Sequence, residues 1–265
     1  MSIHASAQIA AGAHIGANVR IGPFAIVEDD TTIGDGCIID SHAMVRRHVH
    51  MGSDNEIGPF AVIGGLPQDL SFDRDSVTRV EIGSGNVFRE GVTINRGSQA
   101  TDKTVLGSNN YLMNNSHVGH DCRVGDHCVF ASCATLGGHV QMGSRVFFGG
   151  GAMVHQFCRV GDFAIVAGVI GVRKDVLPFA MLGGQPVRHY RVNSIGLRRA
   201  GVTNERIKTV GEAYRVLKSQ HTRWDTAIEQ AGLRETEEIL LLKNWLAANS
   251  KRGIYRFAGG RGEAD

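Results

Sequence analysis

Laid out in blocks of six, the chain puts an aliphatic or similarly apolar residue at the head of nearly every block. Ile3, Ile9, Ile15, Ile21, Val27 and Ile33 set the beat, and Ile39, Val45, Met51, Ile57 and Ile63 keep it. Glycine or another small or polar residue usually follows, and the fifth position is often small. After a break the beat resumes at Ile82, Phe88 and Ile94, then runs without a slip from Leu106 through Val118, Leu136 and Val154 to Val172. A period of six matches neither the 3.6-residue helix nor the two-residue alternation of a hairpin sheet, but it fits one short strand plus one turn. Three blocks make a triangular coil, and coils stack at the strand spacing of about 4.8 Å with the aliphatic residue inward. Glycines are expected to give the turns their backbone freedom.

Two interruptions, PQDLSFDRDSVTRVE near 67–81 and RGSQATDKT near 96–104, are expected to leave the coil as loops. Past Pro178 the period changes. Ile207, Val210, Tyr214 and Leu217 fall at helical spacing behind Thr203 as N-cap, and Ile239, Leu242, Trp245 and Leu246 do so behind Thr236 and two glutamates. These apolar stripes read as packing faces. The expected organisation is a parallel β-helix over 1–185 and a small α-helical domain over 186–265.

Composition narrows the function classes. The 28 Lys and Arg against 26 Asp and Glu give no reason to expect a nucleic-acid partner. The opening MSIHASAQ lacks a basic region followed by an apolar core, and no run is long enough for stable membrane insertion, so a cytoplasmic chain is expected. Of five cysteines, Cys37, Cys122, Cys128 and Cys158 share the fifth phase of the repeat and read as small core fillers in a reducing compartment.

Twelve histidines are present, most at positions a solvated turn would give them. Blocks headed by Val118, Leu136 and Val154 are 18 residues apart and therefore stack, carrying His120, His139 and His155 near one edge of the prism, with His117 just before. An imidazole there can take a proton from a hydroxyl as it attacks a carbonyl. Asp121 follows His120, but side chains alternate along an extended chain, so the orienting carboxylate is left open between Asp121 and another group. The Gly137-Gly138 pair offers backbone N–H groups to a developing oxyanion. Between Asp175 and Glu205 the chain has no acidic residue but holds Arg188, Arg191, Arg198 and Arg199, either a solvated linker or a patch for pyrophosphate or an acidic carrier protein.

The repeat resembles the hexapeptide-repeat family, whose coils wind left-handed and whose members are commonly trimers with active sites between subunits. Within it, IGPF, PQDL, TRVEIG, VTINRG, NNSHVGHDC, LGGHV, VHQFC, NSIGLRRAG and the closing RGI are similar to the UDP-N-acetylglucosamine acyltransferases that open lipid A synthesis. The resemblance implies His120 as general base on the sugar 3-hydroxyl, which attacks the thioester of a 3-hydroxyacyl carrier protein, with Gly138 as oxyanion donor. It implies substrate contacts from Gln68, Asp69, His117, His139, His155, Gln156, Asn193, Arg198 and Arg199, and acyl-length control at Gly168. It also implies a homotrimer, and neither cofactor nor metal. Two positions depart from the family pattern: Ser71 stands where lysine is usual and Ile195 where glutamate is usual. That keeps open an N-acyltransferase acting on a 3-amino analogue of the sugar nucleotide. Two further readings stay open: a γ-type zinc carbonic anhydrase using His117, His120 and His139, and a binding protein that has lost activity.

Overall fold

In a computed structural model, residues 2–100, 102–219 and 223–258 are described. Short strands, most of two residues, form three sheets of 11, 9 and 8 strands. Every third strand enters the same sheet, which makes the coil a left-handed parallel β-helix of three faces. The registers are those of the six-residue beat: Val118 pairs with Leu136, Leu136 with Val154, and Val154 with Val172. In the two-residue strands of the first sheet the second residue points inward, so Phe88, Phe130, Phe148, Ile39, Ile57 and Leu112 are fully buried in one column. Burying a side chain of this kind is worth about 1.5–3 kcal/mol.

Glycine acts differently from the expectation. The residue in the left-handed region is the fourth of each block, and it is mostly not glycine: Asn18, Phe24, Asp30, His42 and Asp54 have φ of 57°, 58°, 52°, 58° and 57°. The recurrent glycine is the second residue, where the next coil comes too close for a side chain. A Cβ on Gly34 would stand 2.4 Å from the backbone of Gly52, and one on Gly107 2.8 Å from Gly125. Stacking distance, rather than turning, is what demands glycine there.

The fifth position holds the four buried cysteines, and burial pushes the thiols of Cys122, Cys128 and Cys158 up to about 12. It also holds an internal ladder that the apolar beat conceals. Asn55 Oδ1 accepts from Asn86 N at 3.0 Å, Asn86 Oδ1 from Asn110 N at 2.9 Å, and Asn110 Oδ1 from Cys128 N at 2.7 Å. Each buried carboxamide thus satisfies a backbone donor one coil on.

The last parallel strand of the first sheet, Ala180–Gly183, turns into an antiparallel partner, Arg188–Val192. That hairpin straddles the boundary drawn at 185/186, and the basic segment, left open between a linker and a phosphate or carrier patch, is strand and helix. The helices are α1 (Ser194–Arg199), α2 (Asn204–Ser219), α3 (Trp224–Gln230) and α4 (Glu237–Ala247). Thr203 caps α2 through Arg206 N at 3.4 Å, and Thr236 caps α4 through Ile239 N at 3.3 Å. The short α1 and α3 carry too little periodicity to be read from sequence, but Leu197 and Ile228 bury them. Tyr214 donates to Pro178 O, and the buried Arg159–Asp175 pair at 2.7 Å lies with its guanidinium 4.2 Å over Trp245. These contacts fix the helices to the end of the coil.

Candidate active site

Both insertions and all three stacked histidines leave the same corner, the one that follows strands of the second sheet. The strands Val62–Gly65, Thr93–Asn95, His117–Val118, Thr135–Leu136 and Met153–Val154 are successive neighbours there. The first loop follows Gly65, the second follows Asn95, and the histidine blocks come next.

Stacking in register decides which side chains meet. His120, Gly138 and Gln156 are third residues of consecutive coils, and Asp121, His139 and Phe157 are fourth residues. The His120 ring lies over Gly138, where a Cβ would be 2.5 Å from Nε2. Among the described residues the Gly138 N–H donates to no acceptor. His120 and His139 meet edge to face with centroids 5.1 Å apart, and His139 stacks on Phe157 at 4.6 Å.

Asp121 answers the question of the orienting carboxylate. Its φ of 60° turns the chain at the corner, so the alternation rule for extended chain does not apply between it and His120. Oδ2 lies 2.7 Å from His120 Nδ1 and 3.6 Å from His139 Nε2. The second loop clamps it: Ser98 N–H donates to Oδ1 at 2.9 Å and Oδ2 at 3.2 Å, and Asp121 N donates to Thr104 Oγ1 at 2.8 Å. Burial pushes the Asp121 carboxyl up, but hydrogen bonds from His120 and Ser98 outweigh it and hold the group below its ordinary range. Ser98 was not read from sequence, because a backbone donor in a loop leaves no residue-type signal, nor was Thr104, whose partner is a backbone N–H one coil on.

His117 is fixed by Thr93 Oγ1 at 2.7 Å, and burial, then the nearby His120, lower its pKa. Asp69, in the first loop, accepts from Ser71 N at 2.9 Å and Ser71 Oγ at 2.7 Å; these bonds, with His120 and His139 acting at longer range, hold its carboxyl below the usual range. Gln68, His155 and Gln156 are exposed, with His155 Nδ1 3.2 Å from Gln156 O.

Other candidates lie apart from this corner within the protomer. Asn193 is 4% exposed and its carboxamide bonds internally, donating to Phe163 O at 2.8 Å and accepting Gly196 N at 2.9 Å as the α1 cap. Those two bonds fix the Asn193 carboxamide and leave its second N–H and an oxygen lone pair. Arg198 and Arg199 are exposed in the last turn of α1, with Arg198 Nε 3.3 Å from Asn204 Oδ1. Gly168 is exposed on the corner before the second sheet, where a Cβ would meet Gly150 O at 3.0 Å.

Among the described residues, His120, Asp121 and His139 form a group whose potential donor atoms lie within 4.8 Å of one another, close enough to hold a metal ion. His117 does not belong to that group, so the three-histidine set of the carbonic anhydrase reading is not assembled among the described residues. No helix among the described residues is long and apolar enough to cross a membrane.

The chain is similar to known proteins along nearly its whole length. The profile of the UDP N-acetylglucosamine O-acyltransferase second domain matches residues 175–255, and the six-repeat bacterial transferase hexapeptide profile matches 30–65 and 103–138. A protein of Anaeromyxobacter dehalogenans named acyl-(acyl-carrier-protein)-UDP-N-acetylglucosamine O-acyltransferase is 40% identical over 263 residues, 97% of this chain and all of that one. One of the same name from Alkalilimnicola ehrlichii is 42% identical over 197 residues, 73% of this chain and 76% of that one. The crystal structure of the UDP-N-acetylglucosamine acyltransferase of Bacteroides fragilis superposes with a TM-score of 0.90 at 35% identity, over 96% of this chain and 100% of that one. That of Moraxella catarrhalis does so with 0.90 at 36%, over 97% and 100%. The chain belongs to the UDP-N-acetylglucosamine O-acyltransferase family.

Proposed function

We propose that the protein moves a 3-hydroxyacyl chain from acyl carrier protein to the 3-hydroxyl of UDP-N-acetylglucosamine, opening lipid A synthesis in the cytoplasm. The observation that carries this is the His120–Asp121 pair at 2.7 Å with the His120 Nε2 edge over Gly138. With Nδ1 directed at the carboxylate, Nε2 is the basic nitrogen. Nε2 takes the sugar hydroxyl proton as the oxygen attacks the thioester carbonyl. The Gly138 N–H receives the oxyanion, and collapse of the tetrahedral adduct expels the carrier thiolate, which takes the proton back from His120. Asp121 holds the tautomer and stabilises the imidazolium. His117, His139, Gln68, Asp69, His155 and Gln156 surround the acceptor.

The outer face of the second sheet joins this corner to Gly168. It bears Met153, 61% exposed, and the neighbouring corner bears Val169, 86% exposed. An acyl chain lies along that apolar strip, with Gly168 leaving room for length. Arg198 and Arg199 reach the nucleotide from a neighbouring copy in a homotrimer. Their separation from His120 within the protomer supports this, as do exposed Phe147 and Met153 on two coil faces. Sedimentation as a monomer would count against it.

Acyl transfer from 3-hydroxyacyl carrier protein to UDP-N-acetylglucosamine and to its 3-amino analogue, with wild type and His120→Ala, tests the whole. Turnover of the hydroxyl sugar and a loss of about 10²–10⁴-fold in the variant are expected. Inactivity towards both sugars removes the proposal. Turnover of the amino sugar alone favours the second reading, amide formation. Ser71 supports that reading: its hydroxyl sits on Asp69 where the family usually has a cation, leaving an ionised carboxylate that suits an ammonium-bearing acceptor.

A further inference from the structure

Behind the histidine corner, the outward residues of the third sheet turn basic. Arg123, Gln141 and Arg159 stand in register on successive coils, with Lys103 on the coil before. They wall a cavity of about 260 Å³ that Asp121, His139 and Phe157 close on one side and Lys251, from the segment after α4, on another. The reaction chemistry uses none of its cations.

Those cations differ in what already holds them. Lys103 pairs with Glu81 at 2.6 Å. Arg123 and Lys251 are exposed and form no ion pair among the described residues, and Lys251 Nζ rests 4.8 Å from the centre of the Phe157 ring instead. Arg159 is 9% exposed; Nε binds Asp175 and Nη1 binds Trp245 O, while Nη2 is buried without a partner among the described residues. A buried charged donor left unpaired is uncommon in a finished fold. Of the carboxylates, Asp121 is occupied by His120 and Ser98, and Asp102 stands exposed at the rim. Arg123 and Lys251 thus stand as two exposed cations at the mouth beside the fixed guanidinium of Arg159, an arrangement that phosphate oxygens take.

We propose that this cavity is a binding site for a phosphoryl group, with Arg123 and Lys251 gripping it from the rim beside the fixed guanidinium of Arg159. The group is either free phosphate or the phosphodiester of the carrier's pantetheine arm; the second source rests on the function proposed above, the first does not.

Calorimetric titration of the full-length protein with inorganic phosphate is expected to show one saturable site per chain, weakened about tenfold or more in Arg123→Ala and in Lys251→Ala. Both side chains are exposed, and Arg123→Gln and Lys251→Gln retain an unbranched, uncharged stem should an alanine variant fold poorly. Kinetics then separate the sources. A raised KM for acyl carrier protein with kcat retained assigns the site to the prosthetic arm, and an unchanged KM with phosphate binding lost assigns it to free phosphate. Absence of saturable binding, or binding of wild-type strength in all four variants, overturns the proposal even if acyl transfer proceeds as described.

Discussion

The imidazole of His120 lies against the α-carbon of Gly138: a methyl group there would stand 2.5 Å from both Nε2 and Cε1. The two residues are 18 apart, one full coil, so the contact is a product of stacking. Gly138→Ala is expected to push the ring off its position while leaving the coil folded. Displacement of a catalytic group by about 1 Å can cost 10²-fold, so kcat should fall by about that factor with an unchanged far-UV spectrum. Retained kcat would detach His120 from the reaction.

Asp121 is held by the backbone of Ser98, not by its hydroxyl. Ser98→Ala should therefore behave as wild type, whereas Ser98→Pro removes the donor. Losing a hydrogen bond to a charged group is worth about 1.5–3 kcal/mol, so kcat should drop about tenfold or more and the Asp121 carboxyl should titrate higher by NMR. Equal effects from the two substitutions would contradict the clamp.

His189 is fully buried, accepts from Leu177 N at 3.1 Å, and burial pushes its pKa down to about 3 from an ordinary 6.5. The folded state keeps it neutral while the unfolded chain binds a proton below 6.5. Its contribution to stability is therefore complete above about pH 6.5 and is lost as pH falls towards 3, with a slope of about 1.4 kcal/mol per pH unit. Urea denaturation between pH 7 and 4 should show this slope in wild type and a shallower one in His189→Gln; identical slopes would assign the acid sensitivity elsewhere.

Arg159 and Asp175 form a buried ion pair that also carries Trp245. Arg159→Met strands the Asp175 carboxylate, and breaking such a pair costs about 3–5 kcal/mol. A fall in melting temperature is expected, largely reversed by adding Asp175→Leu. A single variant as stable as wild type would show that the pair does not dock the helices.

The sequence by itself determined the coil. A six-residue beat leaves one solution for burying an aliphatic residue per block, and it runs unbroken from Leu106 to Val172, so Val118, Leu136 and Val154 had to lie over one another. His120 and His139 were legible as neighbours for that reason, as were α2 and α4, whose caps and stripes are local. Tertiary structure decided what depends on direction rather than spacing. The left-handed φ of Asp121 brings its carboxylate onto His120, against the alternation that an extended chain would impose. The same stacking turned glycine from a hinge into a spacer, because a coil one strand spacing away leaves no volume for a Cβ. Ser98, the asparagine ladder and the engaged carboxamide of Asn193 escaped the sequence, since each is defined by which backbone group lies opposite it. Only the packed coil and the helices closing its end set those partners.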